Sequence, residues 1–244
     1  MHKGLGANII SSENMEVVNN QQTFAQIKRI LNNHSTLLDA YGLLEPIILG
    51  LFDAQRMSIF QRRRQHQDLV ARFKTGKETL EIKVPISPMS IAGYVALSQQ
   101  AVVIDDPYNP ALLQSIHPRL RFADKFDKDN DFKTQNILCV PIMNAGVLMG
   151  VIQIINKVSG GFTEEDLKLG NALALILGDK FRFELGGTNN PFDLLVHKSL
   201  LDEATLNDIQ SSTPDIRALI QRLVSEHRIS EEEIGNSLSI HYQV

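Results

Sequence analysis

Two apolar runs, Ile137 to Met143 and Val147 to Asn156, are separated only by Asn144-Ala145-Gly146. So short a connection, with its glycine, suits a hairpin that pairs the two runs as antiparallel strands. The runs are strands rather than membrane spans. Val147 to Ile155 is interrupted by Gly150 and Gln153, and it falls well short of the roughly 20 apolar residues that a spanning helix needs.

Further strand signals precede the hairpin. Met57 to Gln61, Leu69 to Phe73 and Ala101 to Ile104 are short apolar runs with turn-prone or charged residues between them. Leu80, Ile82 and Val84 alternate with Glu81 and Lys83, a period of two. Helix signals lie around and between them. Phe24, Ile27, Ile30 and Leu31 share one face of a helix opened by Thr23, and a second helix is expected over Tyr41 to Asp53, with Pro46 limiting where its regular part starts. Ser87-Pro88 and Asn109-Pro110 each place a cap and a proline ahead of a helical run, Met89 to Ser98 and Ala111 to Ser115. Thr163-Glu164-Glu165-Asp166 reads as a capping box leading a long helix to about Leu185. Helices, then strands with helical excursions, then a helix describe an α+β domain over 23–185, behind an Asn-, Gln- and Ser-rich leader at 1–22 that reads as mobile.

Residues 186–190, Gly-Gly-Thr-Asn-Asn once Gly186 is counted, read as a linker. No strand signal follows. Instead the chain repeats itself at a spacing of about 28 residues: Leu195-Val196-x-x-Ser199-x-Leu201 matches Leu223-Val224-x-x-His227-x-Ile229, and Leu206 matches Ile234. Each copy reads as a helix, a turn and a second helix, opened by Asp202 or by Ser230 with Glu233; Thr213-Pro214-Asp215 starts the helix between. Residues 191–244 are therefore expected to form a small all-helical module.

Composition removes several classes of function. A net charge of -4 gives no electrostatic case for nucleic acid. The one dense basic cluster, Arg62-Arg63-Arg64, reads as a solvated turn or as a partner or phosphate patch. The single cysteine, Cys139, allows no internal disulfide and sits in an apolar strand, and the N-terminus has no signal-peptide pattern, so a cytoplasmic location without membrane insertion is the expectation. No Gly-x-x-x-x-Gly-Lys-Ser/Thr phosphate loop and no Gly-x-Ser-x-Gly elbow occurs, and the seven histidines are scattered without a cysteine pair. No metal site, cofactor or catalytic residue is expected, and the chain does not read as an enzyme.

Ordered motifs carry a resemblance. Ile91-Ala92-Gly93-Tyr94-Val95-Ala96, Val102 to Asp106, Phe132-x-Thr134, Asn136 to Ile142 and Gly150 to Lys157 resemble a GAF domain, a fold built on an antiparallel sheet flanked by helices. The likeness is to the cyclic-nucleotide-phosphodiesterase type, whose Asn-Lys…Phe…Asp-Glu signature is matched by Asn156, Lys157, Phe162 and Asp166, with Leu167 where glutamate stands in the family. The resemblance implies a structural clamp of these four residues, Lys157 and Asp166 pinning strand to helix beside a pocket. It also implies a pocket between one sheet face and the helical excursions near 87–135. The lining groups it suggests are Ser58 and Phe60; Ser90, Ile91 and Ala92 at a helix N-terminus; and Asp105, Asp106, Asn109, Phe132, Thr134 and Gln153. A cyclic nucleotide is the ligand this implies, its phosphate at the helix N-terminus.

The repeated helices, "LLVHKSLLDEATLNDI" and "RLVSEHRISEEEIGNSL", are similar to the N-terminal domain of type II secretion and type IV pilus assembly ATPases, with the motor itself absent. Where some relatives carry Arg-Leu-Gly for cyclic di-GMP, this chain has Asn190-Pro191-Phe192 and Ala218-Leu219-Ile220. Two functional expectations follow from the resemblances. One is a ligand-sensing, dimerising regulatory module of such an ATPase, a homodimer through its flanking helices with a secretion or pilus protein as partner of the helical module. The other is a ligand-free scaffold for dimerisation or docking to that machinery.

Overall fold

In the computed structural model, which describes residues 12–34, 36–63, 67–75, 78–129, 131–186 and 190–242, the chain reverses at Ala145-Gly146. Both residues have positive φ, 47° and 77°, as the tightest hairpin turns require. The loop is one residue shorter than the sequence suggests, because Asn144 still pairs with Val147. The strands it joins are β5 (Ile137–Asn144) and β6 (Val147–Lys157); the others are β1 (Ala54–Arg62), β2 (Asp68–Thr75), β3 (Glu78–Pro85) and β4 (Val102–Ile104). All six form one antiparallel sheet in the order β3-β2-β1-β6-β5-β4. Ile142 faces Gly150 but Met143 faces Leu148, so Met149 is the extra residue of a bulge. The alternation slips by one across it, so that Met149 joins Ile152 in one core and Leu148 joins Val151 in the other.

Each face of the sheet is covered. Helices α1 (Ser12–Asn33) and α2 (Leu37–Phe52) pack on one face with α6 (Glu164–Lys180), burying Met57, Ile59, Leu138, Ile152 and Ile154. The other face carries α3 (Ile91–Ser98) and α4 (Pro110–Ile116) and buries Phe60, Ile137, Cys139 and Val151. A short α5 (Lys125–Asp129) follows in the same excursion. No described helix is long and apolar enough to cross a membrane.

Several boundaries differ from the sequence reading. Residues 1–11 of the leader lie outside the described residues, but 12–22 are the first turns of α1, so that helix begins well before Thr23. A polar segment becomes helical when its continuation is anchored, here by Ile27 and Leu31 at no more than 1% exposure. Helix α2 starts at Leu37 and holds Pro46 in its interior, its burial of Ala40, Tyr41, Leu44, Ile48 and Phe52 outweighing the missing hydrogen bond. The predicted long helix stops at Lys180; after the buried Phe181 a separate α7 (Arg182–Gly186) follows.

Caps sit where side chains reach N–H groups, which is not always where the prolines are. Helix α3 is capped by Ser90, whose Oγ accepts from Gly93 N–H at 3.1 Å, while Ser87 only closes the preceding turn. Replacing Ser90 by alanine should therefore cost about 1 kcal/mol in a denaturant titration, against no loss for Ser87→Ala. Asn109 caps α4 ahead of Pro110, as read.

The C-terminal helices are α8 (Asp193–His197), α9 (Glu203–Ser212), α10 (Ile216–Ser225) and α11 (Glu231–Tyr242). Residues 187–189 of the expected linker lie outside the description; Asn190 belongs with the module, exchanging hydrogen bonds with Gln210. The equivalent pairs Leu195 and Leu223, Leu201 and Ile229, and Leu206 and Ile234 all enter one core. Asp202 and Ser230 cap the second helix of each copy. Helix α10 is capped by Asp215, after the proline rather than before it.

Candidate functional site

The central strands β1 and β6 place Ser58 opposite Gln153, Phe60 opposite Val151 and Arg56 opposite Ile155. Side chains alternate along a strand, and Phe60 and Val151 belong to the core under α3. Arg56, Ser58, Gln153 and Ile155 therefore lie on that same face, further along the strands. All four are half-buried. Among the described residues, neither the Ser58 hydroxyl nor the Gln153 amide has a hydrogen-bond partner. Such groups normally find one when they leave bulk water.

The outer wall is the excursion between β4 and β5. Its anchor is Asp127, 4% exposed. The carboxylate accepts from Tyr108 Oη at 2.7 Å, Thr134 N–H at 2.7 Å and Thr134 Oγ1 at 3.0 Å. The hydrogen bond to Asp127 pushes the Tyr108 phenol up to about 12. Tyr108 also meets Phe122 edge-on at 5.0 Å. Phe132 sits beneath Arg56, its ring centroid 3.6 Å from the guanidinium carbon.

The predicted lining residues thus divide. Ser58, Phe60, Gln153 and Phe132 share the α3 side of β1 and β6. Ile91 and Ala92, each 3% exposed, pack in the same core at the first turn of α3, which Ser90 caps. Thr134, 1% exposed, spends its hydroxyl and N–H on Asp127 and presents no free base-reading group. Asp105, Asp106 and Asn109 are exposed; Asp106 accepts from Tyr108 N–H, and Asn109 from Ala111 and Leu112 N–H, so these last two build the turn into α4. Sequence reasoning passed over Asp127, one acid in a charged run, and Arg56, which nothing local distinguishes.

The four clamp residues lie together below the site. Lys157 Nζ donates to Asp166 Oδ1 at 2.8 Å and to the Phe52 carbonyl at 3.1 Å. Asp166 Oδ2 accepts from Thr163 N–H and Oγ1, while Thr163 Oγ1 accepts from Asp166 N–H, a complete capping box. Phe162 lies 5.9 Å from the ammonium. Asn156, at φ 60°, accepts from Gln135 N–H and donates to the Lys133 carbonyl and Gln55, pinning the segment that carries Phe132 and Thr134.

Two other clefts open on the opposite face. One of about 200 Å³ lies where α2, β1 and α7 meet α11, between Tyr41, Gln61, Glu184 and Asn236. The other, about 410 Å³, runs between α1 and α6 past Phe24, Lys28, Glu165 and Leu169. Of the Arg62-Arg63-Arg64 cluster, Arg63 is paired with Asp68 across the β1–β2 hairpin, and Arg64 lies outside the described residues. Cys139 is fully buried, and burial pushes its thiol well up. No cluster of metal-ligating side chains occurs among the described residues.

A family model for the GAF domain matches residues 47–179, just over half of the chain. The dual 3',5'-cyclic-AMP and -GMP phosphodiesterase 11A of Takifugu rubripes is 32% identical over 165 residues, covering 62% of this chain and 17% of that protein. The rod cGMP-specific 3',5'-cyclic phosphodiesterase subunit alpha of Bos taurus is 32% identical over 130 residues, 48% of this chain and 14% of that protein. This chain thus spans only about a sixth of the length of the curated relatives it matches. Among solved structures, the GAF domain of a phosphoenolpyruvate-protein phosphotransferase from Coxiella burnetii superposes with a TM-score of 0.53 at 19% identity, covering 68% of this chain and 94% of that one. Free methionine-R-sulfoxide reductase from Neisseria meningitidis gives 0.52 at 16%, covering 73% and 96%. Identities this low speak for the fold alone.

Proposed function

Because the chain belongs to the GAF domain family, we propose that it is a regulatory module that binds a small molecule between the α3 face of its sheet and the wall built on Asp127. The observation that carries this reading is the half-buried pair Ser58 and Gln153, opposite each other on the central strands and without protein partners among the described residues. A ligand would complete their hydrogen bonds. Cyclic nucleotides are the first candidates, since curated relatives are named for cyclic AMP and cyclic GMP.

Strand β1 offers a route for the response. One face presents Ser58; the other presents Gln61, whose amide donates to the Glu184 carbonyl in α7. The Glu184 carboxylate in turn accepts from Leu37 N–H at 2.7 Å, at the start of α2. Asn236 and Ile240 of α11 line the same cleft. A ligand that binds two arrangements of β1 with different affinity would shift α7, α2 and the C-terminal helices together.

In this reading the module is a cytoplasmic regulator rather than an enzyme, and Cys139 offers no accessible thiolate. A homodimer through the α1 and α6 flank is part of the proposal, supported by the groove beside Phe24 and by Leu175, 66% exposed on α6. A place as a module of a type II secretion or type IV pilus-type ATPase, with a secretion or pilus protein as partner of the helical module, rests on the resemblance of the repeated helices alone. The ligand-free scaffold is the competing reading, and binding separates the two.

A thermal-shift titration with cyclic AMP, cyclic GMP and cyclic di-GMP is the test. A specific ligand raises Tm with concentration, by an amount equivalent to about 2.7 kcal/mol at a hundredfold excess over Kd. Ser58→Ala and Gln153→Ala should each weaken binding about fivefold, the loss of roughly 1 kcal/mol per hydrogen bond. Neither should destabilise the free protein, since neither side chain is hydrogen-bonded among the described residues. No shift from any probe at millimolar concentration would leave the scaffold as the reading to pursue.

A further inference from the structure

The chemical class of the ligand follows from one residue that neither the motifs nor the relatives' names bring forward, and this inference rests on the site described above. Arg56 stands two residues from Ser58 on the same face of β1, opposite Ile155. Its guanidinium lies over Phe132 at 3.6 Å. Stacking on a ring occupies the face of the guanidinium and leaves its in-plane N–H fork available. Among the described residues, no carboxylate lies within ion-pairing distance of Arg56 and no hydrogen bond engages it.

The surrounding acids do not supply a counter-charge. Both oxygens of Asp127 are held by Tyr108 and Thr134. Asp105 and Asp106 are exposed in the turn before α4, and Asp166 is committed to Lys157 and Thr163. Elsewhere cations meet acids, as in Arg63–Asp68, Lys198–Glu233 and Arg222–Glu226. The ring under Arg56 is also held in place, because Asn156 pins the adjoining Lys133 and Gln135. A half-buried cation fixed by an aromatic ring, with its donors open and two neutral polar groups beside it, is arranged to receive a planar or tetrahedral oxyanion.

We propose that the ligand is an anion whose phosphate or carboxylate oxygens engage the Arg56 fork, while its neutral part meets Ser58 and Gln153. This differs from a site in which the α3 N-terminus alone holds the anionic group. It also gives Arg56 the specificity-determining role: anionic ligands are retained, and neutral analogues of the same shape are lost.

The experiment is calorimetric titration of the full chain and of Arg56→Gln, Arg56→Lys and Ser58→Ala. The probes are cyclic AMP, cyclic GMP, the uncharged nucleosides adenosine and guanosine, inorganic phosphate and benzoate. At least one anionic probe should bind wild type ten times or more tighter than the nucleosides, with affinity that falls as salt rises. Binding of a cyclic nucleotide but not benzoate identifies a phosphate ester, and the reverse identifies a carboxylate. Arg56→Gln should abolish the preference for the anion, Arg56→Lys should keep part of it, and Ser58→Ala should weaken charged and neutral probes alike.

The Tm of free Arg56→Gln should fall little, because among the described residues the charge removed has the Phe132 ring but no acid as partner; a marked fall shared with Arg56→Lys would make the stack a structural clasp and overturn the proposal. Unchanged affinity of Arg56→Gln for a probe that Ser58→Ala weakens would also overturn it, while leaving the Ser58–Gln153 site standing. No binding of any probe to wild type would remove both.

Discussion

Asp166→Ala should destabilise the protein by about 3–5 kcal/mol, the loss expected when one partner of a buried ion pair is removed. Lys157 and Asp166 side chains are only 16% and 7% exposed, and their atoms meet at 2.8 Å. With the carboxylate gone, Lys157 keeps among the described residues one hydrogen-bond acceptor, the Phe52 carbonyl at the C-terminal end of α2. That helix end is favourable for a cation, but a helix terminus contributes only about 0.3–1 kcal/mol and cannot replace a full negative charge. The same substitution removes the acceptor for Thr163 N–H and Oγ1, and with it the capping box of α6. Asp166→Asn retains some of the capping geometry and should fall between wild type and alanine. The double variant Lys157→Met, Asp166→Leu should recover most of the loss, because the stranded charge has gone along with its partner. Urea titration of the four proteins checks this. A loss below about 1 kcal/mol for Asp166→Ala would put the pair in the class of solvent-screened surface bridges.

Such local chemistry is the part of this molecule that can be read in one dimension. Thr163 lies three residues from Asp166, Ala145-Gly146 sits between two apolar runs, and the period-two pattern at Leu80 to Val84 falls inside a strand. Each of these signals is contained within a few residues. The boundaries that shifted depend on tertiary packing instead. The start of α1 in an Asn- and Gln-rich stretch is set by apolar residues that come later, and the interior Pro46 is tolerated because the face of α2 around it is buried. The candidate site is harder still. Arg56 and Phe132 are separated by six elements of the chain, and only folding shows that, among the described residues, the arginine's donors lack an acid. Asp127 sits in Lys-Phe-Asp-Lys-Asp, where nothing distinguishes the carboxylate that turns inward from those that stay in water. Motif resemblance supplied Ser58 and Gln153, but also Thr134, whose hydroxyl is engaged within the protein.

Gly93→Ala tests how closely the wall of the site is packed, and two effects of opposite sign decide its outcome. Alanine in place of glycine inside a helix is worth about 0.5–1 kcal/mol of stabilisation. At Gly93, however, a Cβ would lie 2.3 Å from the Pro85 carbonyl oxygen, 2.6 Å from that of Ser87 and 2.8 Å from Ser90 Oγ. The first two are backbone atoms and cannot rotate away. The clash can be relieved only by lifting α3 from the end of β3, and α3 buries Ile91, Ala92, Val95 and Ala96 to 3% exposure or less. Overpacking of this kind costs about 1–3 kcal/mol and sometimes more. With no flexible group to yield, the upper end applies, and the clash outweighs the helix gain. Gly235 in α11 is the internal control, since a Cβ there meets nothing within 4 Å. Gly235→Ala should stabilise by about 1 kcal/mol while Gly93→Ala destabilises by about 2 kcal/mol or more, both read from the midpoint of a denaturant transition. If both stabilise alike, α3 is free to ride outward from the sheet, and the face bearing Arg56, Ser58 and Gln153 has a movable wall rather than a fixed one.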